Sequence, residues 1–533
     1  MLRFDGHTPA VRLTVIVTAC LALGATGAPS ASAGPISPAQ QASSQLQRAT
    51  GYRASQLTSR AACGNIPAGR IRCYARVLAL RTGGQTVAPR HAPAARPSAG
   101  AAAVSAPSPF TAAFLQWAYD ATWLAANRGP GDTVAIVDAY GDPTAYSDME
   151  QFRSANGLPS LPTCGATVTT SCFELVNQNG QTTNLPGNLH DETGSWNVEE
   201  SLDLDAVSAV CPLCRILMVE ATSDDSSGQP DLETAVSTAA ALGADQISLS
   251  WGTDVPPAAA ANAAPYSTIT SAAVLAAAGD SSYPGPDVGY PAALPSVTAV
   301  GGTSLTADPA APRGFDEATW GQQSCGGGHC GTESGCDTSQ VVPAFQLALA
   351  TGCAGRAYND VSADADPNTG LEIYDSEPGS EGCGTASSWC IVGGTSLATP
   401  LTAAIEALTG VSGTTPAWTY QSAPLLNDII SGSDGTCPSG WSLICNAGPG
   451  WDGPTGNGSV SGDLSTGGPG TAGESALHIN GEDATLAGGL YPNGETTTYQ
   501  WRYWPASQPA TAALSSPAAT LSGPTLRAVA TAV

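Results

Sequence analysis

The chain has 533 residues, 44 of them Asp or Glu against 18 Lys or Arg, for a formal net charge of −26. That excess repels phosphate backbones and excludes a nucleic-acid binder on electrostatic grounds. Only 12% of the residues are charged, so few carboxylates need neutralising on acidification, which suits work at low pH.

Residues 1–33 carry Arg3 and Arg12, an apolar core from Leu13 to Leu23, and Ala31-Ser32-Ala33. This is the pattern of a secretory signal peptide cut after Ala33, its apolar run too short for a membrane span. A secreted, extracellular protein without a membrane span is expected. Cysteine usage agrees. Of 15 cysteines, Cys20 lies in the signal, which leaves an even number. Sequence neighbours suggest bridges Cys63–Cys73, Cys164–Cys172, Cys211–Cys214, Cys383–Cys390 and Cys437–Cys445. Cys325–Cys330 and Cys336–Cys353 are a guess for the rest, since connectivity does not follow from sequence. Cys211-Pro212-Leu213-Cys214 also has the spacing of half a zinc site or a redox motif, but no second ligand pair stands at matching spacing.

Residues 34–107 are rich in Ala, Pro, Ser and Arg. They read as a short pro-segment with a helical patch between Gln40 and Leu80, followed by a Pro/Ala linker. A basic segment against an acidic body suggests a latch that loosens as carboxylates protonate. If so, a chain lacking 34–107 should be active at neutral pH where the whole chain is silent.

Residues 108–460 alternate between short apolar runs and helical stretches. Strands are expected at 133–138, 215–220, 246–251, 274–278 and 296–300, with helices at 144–156 and 231–242. Apolar runs of this length separated by helices argue for an α/β domain, a parallel sheet covered on both faces. Segments 322–338 and 376–390 read as disulfide-pinned surface loops.

Three stretches in this region carry possible chemistry. In Ile391-Val-Gly-Gly-Thr-Ser396 an apolar strand meets a tight glycine turn and then a helix running to Leu408. Ser396 falls at the helix start, where a serine is ordinarily an N-cap, and Pro400 suits a first turn. As a nucleophile the serine would need a base. The five histidines are His7, His91, His190, His329 and His478, and none stands in a His-Gly-Thr-His setting. Carboxylates offer another base: Glu199 and Asp203 lie four apart on one helix face. Such a face is ordinarily solvated, but two neighbouring carboxyls can share a proton and work in acid, where histidine would be protonated. The run Val274–Ala278 ends in Gly279-Asp280, so Asp280 lies at the carboxyl end of a strand, the edge where ligands of open parallel sheets bind. It is either a turn residue or, when protonated, a donor to an oxyanion.

Taken in order, Glu199-x-x-x-Asp203, Ser248-Leu-Ser-Trp-Gly252, Gly279-Asp280-Ser281 and Gly394-Thr395-Ser396 resemble the motifs of the sedolisins, the serine-carboxyl peptidases. The resemblance covers roughly residues 108 to 460. It implies a subtilisin-like doubly wound parallel sheet, with Ser396 as nucleophile, Glu199 as its base, Asp203 orienting Glu199, and Asp280 in the oxyanion hole. Glu200 is a rival base, and Asp138, at a strand end, is read as structural. Ser250, Trp251 and Gly252 are implied to line the cleft, where their backbone can pair with an extended peptide. Sedolisins usually carry a much larger propeptide than 34–107, a departure that leaves this segment's role open.

Asp428-Ile429 and Gly448-Pro449-Gly450-Trp451-Asp452 combine carboxylates with glycine-exposed carbonyls, hard oxygen donors that suit Ca²⁺. The resemblance implies one site, made by side chains of Asp428 and Asp452 and carbonyls of Ile429, Gly448 and Gly450. A Gly/Ser/Thr linker spans 461–474. Residues 475–533 alternate around an Asn493-Gly494 turn and resemble a fibronectin type III-like β module, with a poorly ordered tail beyond Ala506. The expectation is a monomeric, acid-active serine peptidase acting on proteins or peptides. The alternatives are a non-catalytic binding protein on the same fold and, less well supported, a histidine-dependent subtilisin-like protease.

Overall fold

The computed structural model describes residues 12–16, 38–64, 71–90, 107–167, 169–188, 196–224, 230–253, 260–283, 289–308, 311, 313–325, 328–377, 383, 388–411 and 414–464, and in the C-terminal region 470–480, 483–491, 497–503, 514–515, 519–521 and 527–532. Among these, the central feature is an eight-stranded sheet. Its spatial order is Phe315–Thr319, Thr298–Ala307, Ala273–Ala277, Gln246–Leu249, Thr133–Ala139, Arg215–Ala221 and Phe173–Asn177, with Val361–Asp364 also paired to Thr298–Ala307. Phe315–Thr319 is antiparallel to its neighbour, and the other pairs are parallel. Thr133–Ala139 and Ala273–Ala277 are buried at every residue. Both faces of the sheet are covered, so these strands read as continuous apolar runs.

Two helices pack on each other and on this sheet: Asn197–Val210, the Glu199 helix, and Thr395–Thr409, the Ser396 helix. Every residue of both is buried. The acidic face at Glu199 and Asp203 is therefore part of the interior and not a solvated surface.

The N-terminal segment departs from the helical patch read in the sequence. Helix Pro38–Thr50 is followed by strands Leu57–Ala61, Arg72–Cys73 and Arg76–Leu80. Arg76–Leu80 pairs antiparallel with both Leu57–Ala61 and Trp389–Gly393, and Trp389–Gly393 pairs with Leu371–Tyr374, giving a four-stranded sheet. Arg72–Cys73 pairs antiparallel with Trp251–Gly252. Partners distant in sequence supply the hydrogen bonds here and override local helix preference. Leu46, Leu57, Leu78 and Val87 of the segment share a small core with Phe110 and Ile391.

Six of the expected disulfides are present: Cys63–Cys73, Cys164–Cys172, Cys211–Cys214, Cys336–Cys353, Cys383–Cys390 and Cys437–Cys445. Cys325 and Cys330 are not bridged. They are buried thiols in a hydrogen-bonded pair. The hairpin register sets Cys325 opposite Gly328 and Cys330 opposite Gln323, so the two are diagonal neighbours and not facing residues.

The C-terminal region is all β among its described residues. Gly470–Asn480, Asp483–Tyr491 and Arg527–Ala532 form an antiparallel sheet. Thr497–Tyr503 pairs antiparallel with Leu514–Ser515 and Ala519–Leu521, and in parallel with Arg12–Ile16. The first strand begins at Gly470, inside the stretch read as linker. The Asn493-Gly494 turn and the expected cleavage point after Ala33 lie outside the described residues. No described helix is long and apolar enough to cross a membrane.

Candidate active site

Strand Trp389–Gly393 ends in Gly394, whose φ of 98° lies in the left-handed region that glycine tolerates. The helix begins at Thr395, so Ser396 lies in its first turn. Pro400 lies deeper than the first turn, contrary to the sequence reading. Lacking an N–H, Pro400 leaves the Ser396 carbonyl without its intrahelical donor. The Ser250 hydroxyl lies 3.2 Å from that carbonyl and donates to Asp203 Oδ1 at 2.8 Å.

The Ser396 hydroxyl donates to the Ser250 carbonyl at 3.0 Å and is near enough to the Glu199 carboxyl to favour its charged form. Glu199 is fully buried, and burial pushes its carboxyl well above the usual range. The Asp138 charge adds to this, and the Ser396 and Ala75 hydrogen bonds oppose it. Asp203 is also raised, by burial and then by Asp138 and Glu199. Glu200 faces a different group: after burial, Glu220, Asp142 and Asp138 raise it most. Of the two candidate bases, Glu199 is the one whose carboxyl Ser396 acts on.

Asp280 Oδ1 accepts from the Thr395 N–H at 2.9 Å and from its hydroxyl at 3.0 Å. Its Oδ2 has no hydrogen-bond partner among the described residues. A methyl group at Gly394 would sit 2.9 Å from that oxygen, so Oδ2 borders the glycine turn that precedes Ser396. Burial raises the Asp280 carboxyl to about 6, against the pull of Arg76, the Thr395 bonds and Arg72. The structure thus brings Ser396, Glu199, Asp203, Asp280 and Ser250 into one buried cluster. Trp251 is fully buried, and its indole N–H donates to the Val137 carbonyl at 2.7 Å. The backbone of Trp251 and Gly252 is the edge that pairs with Arg72 and Cys73.

Comparison with known proteins gives the cluster a setting. Residues 181–422 match the family model described as Subtilase family. Sedolisin from Pseudomonas sp. (strain 101) is 28% identical over 372 residues, covering 64% of this chain and 58% of that protein. Kumamolisin from Bacillus sp. (strain MN-32) is 29% identical over 360 residues, covering 63% and 59%. The chain thus spans less than two thirds of the length of these relatives. A solved structure of Pseudomonas sedolisin, a serine-carboxyl proteinase complexed with two molecules of pseudo-iodotyrostatin, superposes with a TM-score of 0.52 at 26% identity, covering 65% of this chain and 95% of that one. The chain carries a subtilisin-like α/β domain.

Within this domain, Asp138 stands out as the residue the sequence reading set aside. It is the penultimate residue of the buried strand Thr133–Ala139, neither carboxyl oxygen has a hydrogen-bond partner among the described residues, and burial raises it to about 8. Its charge acts on both Glu199 and Asp203, so it belongs to their carboxyl cluster. The only signal in the sequence was an acid at the end of an apolar strand, which is also how a structural turn begins.

The stretches 428–429 and 448–452 also come together. The Gly450 N–H donates to the exposed Asp428 carboxylate at 3.1 Å, and the Gly448 N–H donates to the buried Asp452 at 3.0 Å. Burial raises Asp452 to about 7, and the Asp428 charge adds to it. Asp434, also buried, feels the Asp452 charge. Carboxylates gathered beside glycine-exposed backbone are hard oxygen donors that fit a divalent, oxygen-preferring ion such as Ca²⁺.

Proposed function

We propose that this protein is a secreted, acid-active serine-carboxyl endopeptidase. Ser396 attacks the carbonyl carbon of a peptide bond as Glu199 takes its proton. Asp203, held by Ser250, keeps the Glu199 carboxyl oriented, and protonated Asp280 donates to the oxyanion. Glu199 then returns the proton to the leaving amine, and water releases the acyl group. The observation that carries this reading is a buried serine in one cluster with Glu199, Asp203 and Ser250, beside a carboxyl whose Oδ2 faces the glycine turn before that serine. Similarity to sedolisin and kumamolisin supports it.

Asp428 and Asp452, with carbonyls of Ile429, Gly448 and Gly450, would hold one Ca²⁺, which supplies positive charge to a crowded acidic loop and no step of the chemistry. Protein or peptide substrates would bind along Ser250, Trp251 and Gly252. The all-β C-terminal region is a fibronectin type III-like module, and the chain acts as a monomer. Peptide hydrolysis by the whole protein across acid to neutral pH tests this, beside Ser396→Ala, Glu199→Gln and Glu200→Gln. Acid-restricted hydrolysis lost in Ser396→Ala and Glu199→Gln, and retained in Glu200→Gln, is expected. No hydrolysis at any pH once the N-terminal segment is removed would favour a binding protein.

A further inference from the structure

Six disulfides account for every described cysteine except Cys325 and Cys330. These two lie on the paired strands Gln323–Cys325 and Gly328–Cys330, with Cys325 opposite Gly328 and Cys330 its diagonal neighbour. Diagonal Cα atoms of an antiparallel pair are about 7–8 Å apart, beyond the roughly 4.4–6.8 Å that a disulfide spans. A bond between them therefore requires the hairpin to move, and a bond formed under that constraint is more readily reduced than a relaxed one. The thiols already meet, since the Cys330 S–H donates to Cys325. Cys325 is the outer of the two, 7% exposed against 1% for Cys330, and around it Ser324, Gly328 and His329 are exposed.

The inner thiol stands at a junction. Cys330 Sγ lies 3.5 Å from the Ser59 hydroxyl of the N-terminal segment, and that hydroxyl accepts from Arg76 Nε at 3.2 Å. The Arg76 charge acts on both thiols and on Asp280. The next residue, Gly331, donates its N–H to the Asp280 carbonyl at 3.1 Å and accepts from the Ser282 N–H at 3.1 Å. A methyl at Gly331 would stand 2.8 Å from both the Gly321 carbonyl oxygen and the Ser282 hydroxyl, so there is no slack around it. The facing strand is held too: Gln323 Nε2 donates to Asp366 Oδ2 at 2.7 Å, and Gln323 Oε1 accepts from Asn368 Nδ2 at 3.1 Å. With one strand anchored and no void to absorb a shift, movement of Cys330 is passed on to the Asp280 backbone.

We propose that Cys325 and Cys330 form a reversible dithiol–disulfide couple, a thiol-exchange site for a small-molecule disulfide, and that closing it loosens Asp280. The exchange stands on the hairpin alone, while its effect on hydrolysis rests on the serine-carboxyl reading above. Cys325 acts first. It is the more exposed, and the hydrogen bond from Cys330 brings its thiol down to about 7 while holding Cys330 up. The Cys325 thiolate attacks one sulfur of the small disulfide, whose S–S bond breaks and releases one thiol carrying the Cys325 proton. Cys330 then gives up its proton, and its sulfur attacks that of Cys325. The new bond is Cys325–Cys330, and the second small thiol leaves with the Cys330 proton. The protein loses two hydrogens and the small disulfide gains them. Excess small thiol reverses both steps.

The test holds the full chain at about pH 8 in graded mixtures of reduced and oxidised glutathione, then quenches in acid, where thiolates disappear and exchange stops. Maleimide alkylation in denaturant with peptide mapping reads the pair, and hydrolysis of an added peptide is measured in acid on the same samples. The expected result is a pair that passes from two alkylated thiols to one bridge as oxidised glutathione rises, with the six other bridges unchanged. Cys330→Ser should trap glutathione on Cys325, and Cys325→Ser should trap at least about tenfold less on Cys330. The closed form should hydrolyse the peptide about fivefold more slowly, as one lost hydrogen bond dictates, and the Cys325→Ser/Cys330→Ser variant should not respond to the mixture. A pair that stays alkylated, or stays bridged, in every mixture overturns the couple. Closure without a change in hydrolysis overturns the link to Asp280 and keeps the couple. No hydrolysis from either form overturns the peptidase reading and with it the effect on catalysis, while the mapping still decides the couple.

Discussion

Replacing Asp138 by asparagine should change how stability depends on pH, in a direction that burial alone dictates. In the unfolded chain this carboxyl titrates near its ordinary 3.8, and in the folded protein burial raises it to about 8. Between those values the folded state holds a proton that the unfolded state has released. Its contribution is therefore fully present below the ordinary value and is lost as pH rises through that window, at about 1.4 kcal/mol per pH unit. Asparagine does not titrate. Between about pH 5 and about pH 7 the variant should gain roughly 2.7 kcal/mol on the parent. A buried amide lacking partners costs about 1–3 kcal/mol, but equally at both pH values, so it displaces the two curves without changing their divergence. Denaturant unfolding followed by tryptophan fluorescence, in a Ser396→Ala background to prevent self-digestion, measures that divergence directly. Parallel curves for parent and variant would refute a buried, proton-holding Asp138.

Four further outcomes follow from the same geometry. Asp280 must be protonated to donate to an oxyanion, and its carboxyl is raised to about 6; kcat/KM should fall as pH rises past that value, and Asp280→Asn, an amide that donates at any pH, should lose that limb while an unchanged limb would remove Asp280 from the role. Gly394→Ala should abolish activity and lower Tm, because φ is 98° and strain there costs about 1–3 kcal/mol; normal kinetics would show that the turn has room to spare. Chelation with EDTA, or Asp452→Ala, should lower Tm, and an unchanged Tm with no calcium by elemental analysis would end the metal proposal. Arg356 and Asp360 pair at 2.6 Å with both side chains fully buried, so Arg356→Met should cost about 3–5 kcal/mol in unfolding free energy, with part recovered on adding Asp360→Asn.

What the sequence made legible was whatever local pattern determines. Thr133–Ala139, Arg215–Ala221 and Ala273–Ala277 are apolar runs bounded by turn residues, and such runs become buried parallel strands wherever helices cover them. The Gly393-Gly394-Thr395-Ser396 turn could be read for the same reason, since its glycines serve a backbone need. Side-chain company was harder to see. Glu199 and Asp203 are related by helix periodicity, but Asp138 meets them only because a strand end and a helix start converge in space. The pairing of Arg76–Leu80 with Trp389–Gly393 joins residues about 300 positions apart, and nothing in Arg76-Val-Leu-Ala-Leu80 names its partner. Pro400 misled for a related reason: its place in the helix depends on where the turn at Gly394 lets the helix begin.

The seam between Arg76–Leu80 and Trp389–Gly393 has a consequence for how the chain reaches its folded state. The earlier strand is synthesised long before its partner exists, so this contact forms late, and folding that depends on such distant pairing is slow. Until then, the strand that leads to Ser396 presents an open hydrogen-bonding edge, with Ile391 uncovered on it. Open edges of this kind recruit other chains. Removing residues 38–90 before folding should thus yield aggregate and not a soluble folded domain.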